Sequence, residues 1–230
     1  MVHGAFAESA SWNSVIEELL ANSFEVVAAA NPLRSVTGDA AYVRDVIAGI
    51  GKPVVLVGHS YGGMVITEAA ADNDAVISLV YVCAFAPEHG ESALALSTKF
   101  PGSSLGESLV AYPVAGGGNE FTIAQQKFHH QFCADVQPDE AALMAVTQRP
   151  VTEAALSEGL PTSSPGWQTI PSWFVFGELD LNIPVALHRF LAARATARAT
   201  REVTGASHAL SVSDPKSVIA AILDAAATAG

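Results

Sequence analysis

The run Gly58-His59-Ser60-Tyr61-Gly62-Gly63 lies between an apolar stretch, 53–57, and a helical one, 64–71, and it constrains this chain more than any other feature. A serine with glycine two residues away on each side, at a strand-to-helix junction, reads as a sharp turn. Side chains at those two glycine positions would collide with the turn, and the serine itself is forced into a strained backbone conformation. The turn leaves a hydroxyl held out at the end of a strand.

The rest of the chain continues this strand–helix alternation. Ser14-Val15-Ile16-Glu17 has capping-box spacing, and Val15, Ile16, Leu19 and Leu20 recur at helical period, predicting a first helix there. A short buried strand is expected at 24–29. A second helix follows with Thr37 as N-cap, with Val43, Val46, Ile47 and Ile50 on one face and Gly51-Lys52-Pro53 as its stop. Strands are expected at 54–57, 77–83, 172–176 and 200–203, and helices from Tyr61 and over 185–195. Asp214 caps the last helix and Pro215 occupies its first turn. Such alternation predicts the α/β class: a mostly parallel central sheet with helices on both faces.

Residues 88–165 break the pattern, being richer in Gly, Ser, Pro and Gln, with a hairpin expected around Gly116-Gly117-Gly118 and a helix over 139–147. This organisation reads as a core of 1–87 and 166–230 with an inserted cap, 88–165. The insertion leaves after one strand and returns before the next. It should therefore sit at the strands' C-terminal edge, where open α/β sheets bind ligands.

Of 230 residues, 50% are hydrophobic and 15% charged, as in one domain with a large core. The net charge of -12 repels phosphate backbones and anionic lipid, so neither nucleic acid nor membrane is an expected partner. The longest nearly apolar run, 75–86, is broken by Ser78 and too short for a bilayer, so it reads as a buried strand. Met1-Val2-His3-Gly4-Ala5 lacks the basic start of a secretory signal, which gives a cytoplasmic expectation. Cys83 and Cys133 match no metal or redox spacing and read as reduced thiols.

A serine hydroxyl needs a base to become a nucleophile, and the base needs a third group to set its tautomer. Among seven histidines, His208 is the one in a Gly-Ala-Ser-His loop between a late strand and the last helix. Asp180 follows the strand at 172–176, with Glu178 as a rival acid two residues earlier. Ser60, Asp180, His208 is thus the expected set of nucleophile, orienting acid and base. His59 should be a packed histidine pointing away from the serine, and His3 a loop brace. His129 and His130 diverge on a helix, so with Cys133 they make no metal site. Phe128, Phe132 and Trp167 are candidates to line a substrate pocket from the cap, although aromatic residues are as often core.

The turn around Ser60, the Asp180 and His208 loops and the opening His3-Gly4 together resemble the α/β-hydrolase family. The branch they look most like holds small carboxylesterases related to plant methylesterases and hydroxynitrile lyases. His3-Gly4-Ala5-Phe6-Ala7 with Ser11-Trp12 is similar to that branch's oxyanion loop. Asn31-Pro32-Leu33 and Tyr81-Val82-Cys83-Ala84-Phe85-Ala86-Pro87 are similar to its strand exits. The resemblance implies backbone N–H groups of Ala5 and Tyr61 as an oxyanion hole, Phe6 beside the substrate, and no metal or organic cofactor. Relatives carry a full strand ahead of His-Gly. Here only Met1 and Val2 precede it, so the sheet is expected to be weaker there.

The activity expected is hydrolysis of a small, mainly uncharged carboxylic ester or lactone. A carbon–carbon lyase like the hydroxynitrile lyases is an alternative, but Ala209 follows His208 where that branch typically has lysine. A ligand-binding protein with little turnover on the same fold is another.

Overall fold

A computed structural model describes residues 1–228. In chain order, helices α1 (Asn13–Ala21) and α2 (Val36–Ile50) precede strand β1 (Val54–His59), helix α3 (Gly62–Ala69) and strand β2 (Val76–Val82). Helix α4 (Ala93–Ser97), strands β3 (Leu109–Pro113) and β4 (Asn119–Ile123), helices α5 (Gln125–Phe132) and α6 (Pro138–Thr147), strand β5 (Val151–Thr152) and helix α7 (Glu153–Ser157) follow. Strand β6 (Ser172–Gly177), helix α8 (Val185–Arg194), strand β7 (Ala199–Val203) and helices α9 (Leu210–Ser213) and α10 (Pro215–Ala227) come last.

The strands predicted at 54–57, 77–83, 172–176 and 200–203 form and pair in parallel, in the order β1-β2-β6-β7. Side-chain alternation assigns the faces. Tyr81 stacks on Phe174 and shares a hydrogen bond with Thr67 of α3, which packs on α2. Ser78, an odd number of residues away on the same strand, points the other way and donates to the Ala225 carbonyl of α10, which packs on α1. Leu79, Val80, Tyr81 and Val82 are consequently buried, as a central strand covered on both faces requires.

Local signals explain the ends of several helices. Gly51 closes α2 in the left-handed conformation (φ 65°), and Asp214 caps α10 by accepting from Ser217 N–H. The cap of α2 is Ser35, not Thr37: the Ser35 side chain accepts the Gly38 N–H, while the Thr37 hydroxyl donates to Glu158. Helix α1 begins from a 3-10 turn, Ser9–Trp12, with no side-chain cap. Of its predicted apolar face, Val15 and Leu19 are buried and Leu20 is exposed.

The strand expected at 24–29 does not form. Ala29 makes a single parallel bridge to Val2, which makes another to Gly58 of β1. Phe24 and Val27 are exposed, and Val2, which lies between this segment and β1, bridges the segment at Ala29 alone. A cavity of about 710 Å³ lies here, lined by Val26, Val27 and the β1 residues Val54 to Val57, at the opposite end of β1 from Ser60.

Residues 88–165 carry a second sheet, antiparallel, in the order β3-β4-β5. The predicted hairpin turns at Gly117 and Gly118, both with positive φ. β5 is tied to the segment ahead of α2 by Thr152 N–H and Oγ1, which donate to the carbonyls of Leu33 and Arg34. The points of departure and return meet: Gly90 N–H donates to Leu160 O, and Trp167 Nε1–H donates to Pro87 O. Among the described residues no helix is long and apolar enough to cross a membrane.

Candidate active site

Ser60 follows the last residue of β1, and its backbone takes φ 55°, the left-handed region a serine rarely occupies. The turn is as tight as its glycines suggest. A Cβ on Gly58 would lie 2.7 Å from the Gly62 carbonyl oxygen, and one on Gly62 would lie 2.5 Å from that of Val2. Neighbouring strand ends hold the turn: Ser60 N–H donates to Val82 O, and Phe85 N–H donates to Ser60 O. The Tyr61 hydroxyl reaches the first turn of α2 and donates to Asp39 at 2.9 Å, a buried tie that the motif gives no hint of.

Asp180 lies beyond β6 and His208 beyond β7, so the sheet delivers all three groups to its C-terminal edge. Ser60 Oγ lies 2.9 Å from His208 Nε2, and His208 Nδ1 lies 2.7 Å from Asp180 Oδ2. With the proton on Nδ1, His208 donates to the carboxylate and accepts from the serine. Asp180 Oδ1 accepts the backbone N–H groups of Asn182 and Ile183, at 2.8 and 2.9 Å. Burial by itself would raise the Asp180 carboxyl. The adjacent His208 and the hydrogen bonds from His188 and His208 outweigh that and hold it well below the ordinary carboxylate range. Glu178, the rival acid, is exposed and accepts the Gly205 N–H instead.

The other histidines sort by their surroundings. Burial pushes His59 down to about 3, with His208 nearby adding to the effect, and its Nε2 lies 3.0 Å from the His208 carbonyl oxygen. Burial also lowers His3, to about 4, and its Nδ1 contacts the Gly4 carbonyl. His129 contacts the Val136 carbonyl while its neighbour His130 is exposed. Among the described residues, Cys83, Asp180 and His208 form the one cluster of His, Cys and carboxylate ligands close enough to share an ion. Two of its members are already bonded to each other, and burial holds the Cys83 thiol well above its usual range, which disfavours the thiolate a metal would need.

A cavity of about 390 Å³ opens beside Ser60. Ala5, Phe6 and Tyr61 line it on the core side, and Leu94, Phe100 and Leu105 on the other. Phe6 is therefore at the cavity as expected, whereas Phe128 and Trp167 are not. Phe128 is fully buried, stacked on Phe132, which in turn packs edge-on to the His208 ring. Trp167 is spent on the joint at Pro87, with Arg194 over its ring. The wall that replaces them, roughly 93–109, is a short helix and an irregular stretch whose apolar residues follow no period.

Ala5 and Tyr61 both line this cavity, and among the described residues neither backbone N–H has a hydrogen-bond acceptor. Phe6 N–H, one residue on, is taken by Arg149 O. Two free donors beside a serine hydroxyl form a pocket able to hold a developing negative charge on oxygen.

Comparison with known proteins agrees with this architecture. A family model described as the alpha/beta hydrolase family matches residues 1–222. An alpha/beta hydrolase of Aspergillus novofumigatus is 26% identical across 100% of this chain and 96% of its own length. A carbendazim hydrolyzing esterase of Nocardioides is 53% identical over 64 residues, a match spanning 25% of this chain and only 26% of that enzyme. Among solved structures, polyneuridine aldehyde esterase superposes with a TM-score of 0.81 at 20% identity, covering 97% of each chain. Tomato methylketone synthase I does so with a TM-score of 0.82 at 16% identity, covering 100% of this chain and 97% of its own. With its parallel sheet, its strained serine turn and a family match running almost end to end, the chain belongs to the α/β-hydrolase family.

Proposed function

We propose that this α/β hydrolase is a serine esterase that cleaves a small, mainly uncharged carboxylic ester or lactone through an acyl-enzyme on Ser60. The observation that carries the proposal is the continuous chain from Ser60 Oγ through His208 to Asp180, ending beside a cavity with two unpaired N–H groups. Ser60 Oγ attacks the acyl carbon as its proton passes to His208 Nε2. Ala5 and Tyr61 N–H hold the resulting oxyanion. The imidazolium returns the proton to the departing alkoxide, and the same nitrogen then draws a proton from water as it attacks the acyl-enzyme and passes it to Ser60 Oγ as the acyl–Oγ bond breaks and the acid leaves. Asp180 keeps the His208 proton on Nδ1 and balances the charge that forms on the ring.

The cavity lining supports the neutral substrate class. Its one charged side chain among the described residues is Glu107, so a carboxylate or phosphate on the substrate would find no cation. The same absence, together with buried Ala209 after His208, disfavours a lyase that must hold a cyanide-like anion. We assign residues 88–165 as the cap that supplies one wall of this cavity, and a small-molecule ester as the partner. The relatives that are esterases and hydrolases agree with a hydrolytic reaction.

Labelling with a fluorophosphonate, with mapping of the modified residue, tests the assignment. Modification at Ser60, a burst with an activated short-chain ester and loss of both in Ser60→Ala are expected. A Ser60→Ala protein with full turnover would overturn it.

A further inference from the structure

Asp180 does not serve His208 alone. His188, on the first turn of α8, places Nε2 3.0 Å from Asp180 Oδ2, the same oxygen that lies 2.7 Å from His208 Nδ1. We propose that His188 is a positioning residue for the His208–Asp180 pair: a neutral imidazole that donates to the shared carboxylate oxygen, fixes its orientation and draws charge from it. The proposal rests on the triad reading above.

Three features carry it. First, the side chain of His188 is 1% exposed and that of Asp180 0%, so no solvent competes for this bond. Second, the His188 ring lies flat on Phe176 of β6, with centroids 4.8 Å apart and planes 11° apart, which sets the ring's plane and aims Nε2 at the carboxylate. Third, His188 Nδ1 has no hydrogen-bond partner. Putting the proton on Nε2 leaves only a lone pair at the unpartnered Nδ1. The other tautomer would bury an unsatisfied N–H and turn a lone pair on the carboxylate, so the surroundings select the donor form.

The charged and titratable groups around it oppose one another: burial and His208 favour the neutral ring, whereas Asp180 and Glu202 favour the charged one. Asp180 and His208 approach from the loops after β6 and β7, and Glu202 acts from β7 itself. Burial is the largest influence and keeps the ring neutral despite Asp180. Arg189, the next residue on α8, is exposed and paired with Glu202. Asp180 thus receives four donors: two backbone N–H groups on Oδ1 and two imidazoles on Oδ2. A carboxylate that already accepts from His188 attracts the His208 proton less than one serving His208 alone.

The test replaces His188 by Phe, which keeps the stack on Phe176 and removes the donor. In His188→Phe the acid limb of kcat/KM for a neutral ester should move to higher pH by about one unit. Its kcat should fall about tenfold with KM unchanged, as when an outer partner of a reactive imidazole is lost. His188→Gln, which keeps a donor, should bring the limb back towards the parent's position. A lower melting temperature with an unmoved acid limb would mean a merely structural histidine and would overturn the inference. Nitrogen NMR of the parent protein decides the matter even if His188→Phe does not fold: a fixed Nε2–H tautomer from pH 5 to pH 9 is expected, and a titrating or Nδ1–H ring overturns it. Fluorophosphonate labelling in parallel separates the two failures. A parent unlabelled at Ser60 sinks the triad reading, whereas a labelled parent with an unshifted His188→Phe profile sinks this inference alone.

Discussion

His59 Nε2 lies 3.0 Å from the carbonyl oxygen of His208, so the residue before the serine holds the backbone of the residue that faces it. The two rings are 4.8 Å apart, and Phe132 closes over both. A carbonyl needs a donor, which places the His59 proton on Nε2. The bond links β1 to the loop after β7, across the whole width of the four-stranded sheet. His59 therefore helps hold His208 within reach of Ser60 without itself touching Ser60.

Because His59 and His3 are buried neutral, they make stability depend on pH. An unfolded histidine titrates near about 6.5. In the folded protein burial moves His59 to about 3 and His3 to about 4. Between those values the unfolded chain binds protons that the folded chain does not. Stability is thus fully present above about pH 6.5 and lost as pH falls towards 4, by up to about 1.4 kcal/mol per pH unit for each group. The melting temperature should fall steadily from pH 7 to pH 5, and His59→Phe should flatten that slope. An equally steep slope in His59→Phe would show that protonation elsewhere governs the loss.

Gly4 sets how closely the opening loop approaches the serine turn. A Cβ there would lie 2.5 Å from Ser60 Cβ and 2.8 Å from the His59 carbonyl oxygen, neither of which can retreat. Gly4→Ala should push the loop outward and carry the Ala5 N–H away from the cavity. The expected loss is about 10²- to 10³-fold in kcat, the usual cost of one oxyanion donor. Steady-state kinetics on an activated ester, beside a circular dichroism check of folding, measures it. A folded Gly4→Ala protein with parental kcat would remove Ala5 from the oxyanion assignment.

Exchanging the two acids of the loop after β6 separates their roles. Asp180→Asn would leave the geometry but present a donor to His208 Nδ1, favouring the wrong tautomer, and kcat should fall about 10⁴-fold. Glu178→Gln removes an exposed charge that touches only the Gly205 N–H, and kcat should stay within about twofold, as for most surface changes. Parallel kcat values for the two variants test the assignment, and comparable losses would refute it.

What could be read from the residues follows from how local the cause is. The turn at Ser60 is dictated by glycines two residues away on each side, and α10 by Asp214 and Pro215, so short-range sterics and capping expose both. His208 and Asp180 follow from chain order, because each sits just past a recognisable strand. The strand expected at 24–29 failed because apolar residues make a strand only where a partner offers a ladder, and Val2 offers one bridge. The pocket wall was missed for a related reason: residues 93–109 owe their placement to contacts far along the chain, and Phe128 and Trp167 looked equally suited to a pocket or a core. His188 carries no sequence signal as a partner of Asp180. Its approach depends on how the loop after β6 folds back onto α8.

Gln131 shows the same long-range dependence and offers the clearest test of how the cavity wall is coupled to the catalytic loop. From α5 its Oε1 accepts the hydroxyls of Ser104 and Ser108, at 2.8 and 3.3 Å, while its Nε2 donates to Leu181 O and Asn182 Oδ1, at 2.9 and 3.2 Å. One buried amide thereby joins the cavity wall to the residues immediately after Asp180. Gln131→Leu keeps approximate volume but leaves two carbonyl oxygens and two hydroxyls without this partner, costing about 3 kcal/mol of stability, seen as a lower urea midpoint. Because the wall and the Asp180 loop would then shift independently, KM for a neutral ester should rise about tenfold and kcat fall less, as when a positioning contact is lost. A Gln131→Leu protein that lost stability but kept the parental KM would show that the wall finds its place without this link.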